Sequence, residues 1–142
     1  MTLAVTHDVF ERFPKPPCAT LLGWELLESD PAGRAVVRFQ GRPEFLNPAG
    51  FVQGGLLSAM LDDAMGPAVL AKTNGAAYSV TVALQVTFLA PANAGPLIAE
   101  ARVIQLGKTI GFCEAELADE AGVVVARATS QVRLVPTDKL TG

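Results

Sequence analysis

Gly54-Gly-Leu-Leu-Ser-Ala-Met-Leu-Asp-Asp-Ala-Met-Gly-Pro-Ala-Val-Leu-Ala71 decides how this chain is read. On a helical period, Leu57, Met60, Leu61, Ala64 and Ala68 gather on one side, while Leu56, Met65, Val69 and Leu70 spread around the rest. A helix that is apolar nearly all round is a buried helix. The spacing therefore predicts one long buried helix over residues 54–71. Gly66-Pro67 is expected to kink or shorten it, because proline cannot donate to the previous turn. Two carboxylates, Asp62 and Asp63, interrupt this apolar surface about 100° apart on the helix. Both lie off the densest apolar stripe, and periodicity does not choose between them.

Outward from the helix, the sequence reads as strands. Val80, Val82, Leu84, Val86 and Phe88 alternate with Ser79, Thr81, Gln85 and Thr87, so the apolar set is expected to point one way throughout. The turn cluster Pro91-Ala-Asn-Ala-Gly-Pro96 ends this strand. Further strands are expected over 97–106, 110–117 and 123–135. Gly107 breaks the first, Asp119-Glu-Ala-Gly122 makes a hairpin turn, and Pro136 stops the last. Glu114 and Glu116 share a face. Arg127, Thr129, Gln131 and Arg133 alternate with Ala126, Ala128, Val132 and Leu134. Before the helix lie two more strands, about 24–28 and 34–40, joined by Asp30-Pro-Ala-Gly33, with a short helix near 8–13 ahead of them. Two strands, one buried helix, then strands linked by short turns give an α+β fold. A long central helix is wrapped by a largely antiparallel sheet of about five to six strands, the hotdog arrangement.

Composition limits the function classes. The chain of 142 residues suits one domain, with residues 1–20 as an N-terminal helix and extension and 137–142 as a tail. Half the residues are hydrophobic and 18% are charged, a globular balance. The net charge of −3 comes without a basic run, which argues against a nucleic-acid footprint. Cys18 and Cys113 form neither a disulfide framework nor a metal-ligand spacing, so a reduced, cytoplasmic setting is expected. Residues 1–13 lack the apolar run of a secretory signal. Residues 73–99 carry no charge and are long enough to cross a bilayer. Thr81, Gln85, Thr87, Pro91, Asn93 and Pro96 interrupt them, and their alternation is that of a strand.

Nucleophile triads need a histidine, and His7 is the only one; zinc sites usually need several His or Cys ligands, and these are absent. Gly54-Gly55 alone is too little for a phosphate loop. What remains is Asn47-Pro-Ala-Gly-Phe-Val-Gln-Gly-Gly55, running into the helix, followed by Asp62-Asp63. The amides of Gly54 and Gly55 are orphan donors at the positive end of the helix. Glycine admits a close approach to the backbone, and such donors stabilise a developing oxyanion. Gln53 supplies a side-chain amide at the same mouth, and Asn47 is placed to orient the loop or a carbonyl. A carboxylate buried in this helix is expected to titrate high, as suits a base or nucleophile near neutrality.

That nonapeptide, with Asp62-Asp-Ala-Met-Gly66, closely resembles the PaaI-like (phenylacetic acid degradation-type) acyl-CoA thioesterases of the hotdog-fold superfamily. The strand over 79–91 and the segment Ala99-Glu-Ala-Arg-Val-Ile-Gln-Leu-Gly-Lys108 resemble the same family, so the likeness spans about 22–135. It implies hydrolysis of an acyl or aryl-acyl thioester to the free acid and coenzyme A. It gives Asp62 the role of base or nucleophile, with the Gly54 amide, helped by Gln53, polarising the carbonyl. The family loop usually reads His-Gly-Gly; Gln53 replaces that histidine and can donate a similar hydrogen bond but cannot titrate. Thr81 matches a Ser/Thr position that orients the attacking water. Asn47 belongs to the same loop. Asp63 falls where the family varies and is read, with Gly55, Phe51 and Lys108, as a substrate contact. Lys108 suits coenzyme A phosphates or simply solvent; Phe51, Met60 and Met65 suit the acyl pocket or the core.

The resemblance further implies a homodimer whose sites combine Asp62 and the Gly54 loop from different subunits, and a dimer of dimers. It implies no cofactor beyond coenzyme A within the substrate, and no nucleic-acid or membrane partner. A non-catalytic module that holds acyl thioesters also fits these residues, although an Asp at the catalytic spacing favours the hydrolase. A hydratase of this fold needs a catalytic histidine, for which only His7 is available.

Overall fold

The structure, a computed structural model, describes residues 7–139, with side chains from residue 9 onward. The start of the expected extension (1–6), the last residues of the tail (140–142) and the His7 side chain lie outside the described residues. The elements run α1 (His7–Glu11), α2 (Pro17–Leu22), β1 (Glu25–Asp30), β2 (Arg34–Gly41), a 3-10 turn (Pro43–Phe45), α3 (Gly54–Lys72), β3 (Ala77–Phe88), β4 (Gly95–Leu106), β5 (Ile110–Asp119), β6 (Val124–Pro136) and a final 3-10 turn (Thr137–Lys139). The expected order of two strands, a helix and four strands is present. The six strands form one antiparallel sheet in the order β1-β2-β4-β5-β6-β3.

The sheet curls around α3. Met60, Leu61, Ala64, Ala68 and Val69 are fully buried against inward residues of the strands, among them Val37, Phe39, Leu97, Leu117 and Val125. Met60 and Met65 therefore belong to the core, and the Ser130 hydroxyl, itself buried, donates to the Met65 sulfur. Pro67 does not shorten α3, which continues for another turn to Lys72. Its ring is buried, and the lost amide bond leaves the Asp63 carbonyl without its usual donor four residues on. The helix closes on Thr73, whose hydroxyl donates to the Val69 carbonyl.

α2 was not foreseen. Pro17 opens it and Gly23, at φ 71°, closes it with its amide on the Thr20 carbonyl.

β3 departs from the expected alternation in a way that matters for the site. Thr81 pairs with Val132, but Ala83 pairs with Gln131, so Val82 is an extra residue. A bulge of this kind shifts the period-2 pattern by one and exchanges the two faces beyond it. Before the bulge, Ser79 and Thr81 face the helix and Val80 looks outward. After it, Leu84, Val86 and Phe88 face the helix. Val80 and Val82 are consequently 44% and 65% exposed. They do not share a face with Leu84 and Val86, as strict alternation required.

The outer face of the sheet is charged. Arg34 pairs with Glu28 and Glu100, Arg102 with Glu100 and Glu114, and Arg127 with Glu116. Glu114 and Glu116 do share that face. The uncharged stretch 73–99 is β3, a turn and the start of β4; no helix among the described residues is long and apolar enough to cross a membrane.

Candidate active site

The loop before α3 is built around Asn47. Its side-chain Oδ1 accepts from the amides of Ala49 (3.0 Å) and Phe51 (3.1 Å). Its own amide donates to the Phe51 carbonyl at 2.7 Å, and its carbonyl accepts from Gly50. These four bonds close a tight turn in which Gly50 takes φ 86°. The turn delivers the chain to Gln53, whose Oε1 caps α3 by accepting from the Leu56 amide at 3.2 Å. The cap explains Gly55, since a Cβ there would lie 2.8 Å from Gln53 Oε1. A Cβ on Gly54 would meet the Phe88 ring at 3.0 Å. The amides of Gly54 and Gly55 donate to no described residue, and neither does Gln53 Nε2. Gly54 lines a shallow cleft of about 390 Å³ together with Asn47, Phe51, Leu57 and Phe88. The site therefore offers several donors at the positive end of a long helix.

Two turns further along α3, Asp62 and Asp63 line a different cavity, of about 590 Å³. Thr81 Oγ1 donates to Asp62 Oδ1 at 2.6 Å. This contact depends on the β3 bulge, which turns Thr81 toward the helix. Asp63 is set deeper: its Oδ2 is buried and receives no hydrogen bond from any described residue. Burial, and then repulsion from Asp62, push the Asp63 carboxyl up to about 6. The walls are aromatic and aliphatic, with Phe10, Phe13, Trp24, Leu26, Leu70 and Tyr78. Lys15 at the rim donates to the Trp24 carbonyl at 2.8 Å and lies over the Trp24 ring.

The structure thus gathers Asn47, Phe51, Gln53, Gly54 and Gly55 at one place, and Asp62, Asp63 and Thr81 at another. Eight residues of helix put Gly54 and Asp62 about 12 Å apart along the axis. Lys108 joins neither group; it is exposed in the β4–β5 turn and lines neither cavity. Met60 and Met65 line neither as well. The aromatic walls went unnoticed in the sequence, because Phe10, Phe13, Trp24 and Tyr78 come from separate segments with no common spacing.

A buried helix wrapped by a curled six-stranded antiparallel sheet defines a hotdog-fold domain. The family model of the thioesterase superfamily matches residues 49–126, and the chain belongs to that superfamily. Human acyl-coenzyme A thioesterase 13 is 29% identical over 109 residues, covering 75% of this chain and 77% of that one. The phenylacetic acid degradation-related protein of Ralstonia eutropha JMP134 superimposes with a TM-score of 0.82 at 35% identity, over 90% of this chain and 97% of that one. The PaaI protein from the phenylacetic acid degradation operon of E. coli gives a TM-score of 0.82 at 26% identity, over 93% and 96%.

Proposed function

We propose that this protein is an acyl-CoA thioesterase that cleaves an acyl or aryl-acyl thioester to the free acid and coenzyme A. The observation that carries the reading is the short Thr81–Asp62 hydrogen bond at the wall of an aromatic cavity. It fixes a carboxylate where a water or a thioester carbon can reach it, on a superfamily scaffold whose human relative is named an acyl-CoA thioesterase.

In the proposed reaction the thioester oxygen lies against the Gly54 amide, with Gln53 Nε2 beside it and Asn47 holding the loop. Asp62 takes a proton from water as the water oxygen attacks the carbonyl carbon, and the negative charge gathers on the oxygen facing Gly54. Collapse breaks the carbon–sulfur bond, and the thiolate leaves with the proton. Direct attack by Asp62, followed by hydrolysis of the anhydride, uses the same groups.

One chain does not bring these halves together, since Gly54 and Asp62 open onto separate cavities. We therefore assign each site to two subunits of a homodimer, with further pairing into a dimer of dimers. The open outer edge of β3, twelve residues long with Val80 and Val82 exposed, suits such pairing. Lys108 is retained only as a candidate contact for coenzyme A phosphates. A single-domain, cytoplasmic enzyme with no cofactor of its own completes the reading.

The test is thiol release from a panel of short-, medium- and long-chain and aryl-acetyl CoA thioesters, with Asp62→Asn and Asp63→Asn beside the wild type. Turnover that only Asp62→Asn abolishes supports the assignment. Binding without thiol release across the panel replaces the enzyme by a module that holds acyl thioesters.

A further inference from the structure

We infer that residues 11–16 form a strap over the 590 Å³ cavity, closed over short acyl groups and lifted by long ones. The inference rests on the thioesterase reading and adds to it a control of acyl length. Glu11, Phe13, Pro14, Lys15 and Pro16 supply one wall of the cavity; other walls come from β1, α3 and β3.

Both ends of the strap are fixed. Val9 before it is buried, and so are Ala19 and Leu22 of α2 beyond it. Between these anchors the chain is held loosely. Pro14 and Pro16 have no amide to donate, and the Phe13 amide bonds back to the Phe10 carbonyl. From Phe13 to Lys15 the backbone bonds to no strand among the described residues. Arg12, Pro14, Lys15 and Pro16 are exposed. A segment with so few buried contacts and backbone bonds opens readily while the rest of the fold stays closed.

Two side chains clasp the strap to the body. Arg12 Nη2 donates to the Asn74 carbonyl at 3.2 Å, just past the end of α3, where a cation suits the negative end of the helix. Gly75, at φ 80°, leaves room for it, since a Cβ there would overlap the guanidinium. Lys15 Nζ donates to the Trp24 carbonyl at 2.8 Å and covers the Trp24 ring. Both bonds are open to water, so each holds the strap weakly. An acyl chain too long for the closed cavity has to displace Phe13 and Pro14, which breaks the clasps. Its apparent affinity is then reduced by the fraction of molecules that are open.

The test removes each clasp and keeps an apolar stem in its place, with Arg12→Met and Lys15→Met. It reads the ratio of kcat/KM for dodecanoyl-CoA to that for hexanoyl-CoA, so a general loss of activity cancels. It also reads acrylamide quenching of Trp24, the one tryptophan, in ligand-free protein. The wild type should favour hexanoyl-CoA. Each variant should raise the ratio by about fivefold, the weight of one exposed hydrogen bond. Arg12 clasps Asn74 rather than Trp24, so stronger quenching in Arg12→Met reports movement carried along the strap. A wild type that takes both thioesters equally, a ratio unchanged in both variants, or unchanged quenching in Arg12→Met overturns the strap and leaves the thioesterase reading intact. Absence of thiol release from both thioesters overturns both.

Discussion

Replacing Asp63 with asparagine should stabilise the protein by an amount that grows from about pH 4 to about pH 6 and is complete above that. Burial holds the Asp63 carboxyl at about 6 in the folded chain, against an ordinary 3.8. Between about pH 4 and pH 6 the folded state keeps a proton that the unfolded chain has released, so stability falls as pH rises and then levels off. About two pKa units at about 1.4 kcal/mol each give nearly 3 kcal/mol. Because Asp63 is only partly buried, solvent screening reduces this to about 2 kcal/mol. Asparagine copies the shape of the protonated acid and never pays the cost of ionisation. Urea unfolding at pH 8 should therefore show Asp63→Asn more stable than the wild type by about 2 kcal/mol, or a rise of about 6 °C in Tm. At pH 4 the two should unfold together. Equal stability at pH 8, or the same gain at both pH values, would refute the idea that a buried, unpaired carboxylate stores this strain.

Three further perturbations address the proposed chemistry. Beside a Gly54→Ala control, which brings the same Cβ against the Phe88 ring but keeps the amide, Gly54→Pro removes one amide at the first helical position, and Gln53 at φ −63° and ψ 138° already has the conformation that precedes proline. It should lower kcat about a hundredfold or more with the fold intact by circular dichroism, whereas undiminished turnover removes that amide from the mechanism. Mixing Asp62→Asn and Gly54→Pro subunits under exchange should restore about a quarter of wild-type activity, because half the dimers are mixed and each has one whole site. No recovery in dimers shown to be mixed by mass spectrometry sinks the shared site. Thr81→Ala should cut kcat by about tenfold with little change in KM, and Thr81→Ser should recover most of it; equal losses in both would mean that the hydroxyl is not what holds Asp62.

The helix was legible because its apolar positions recur through five turns, interrupted by Asp62 and Asp63, and the strands because their ends carry Pro, Gly and Asp. The donor loop was legible too: Gly54 and Gly55 sit at a helix start, and the structure leaves their amides free for that reason. The choice between Asp62 and Asp63 was not. Adjacent residues on a helix differ in neighbours supplied by other elements, here the Thr81 hydroxyl for Asp62 and no hydrogen-bond donor among the described residues for Asp63 Oδ2. The face of β3 was misread because nothing in Val80-Thr-Val82 announces a bulge; it carries no glycine, and the alternation continues through it. α2 had readable punctuation in Pro17 and Gly23, but six residues are too few to show a period. The aromatic cavity was hidden because it is a property of packing between α1, β1, α3 and β3.

Val82 behaves in this strand like an inserted letter in a reading frame. Deleting it would close the ladder into a regular one, with Thr81 and Ala83 as neighbours opposite Val132 and Gln131, and Ser79, Thr81, Leu84 and Val86 would keep their faces. Drawing Val82 into the ladder would instead turn one half of the strand over and carry Ser79 and Thr81 away from Asp62. A relative one residue shorter between Tyr78 and Leu84 would thus keep the hydroxyl and the carboxylate of the proposed site together.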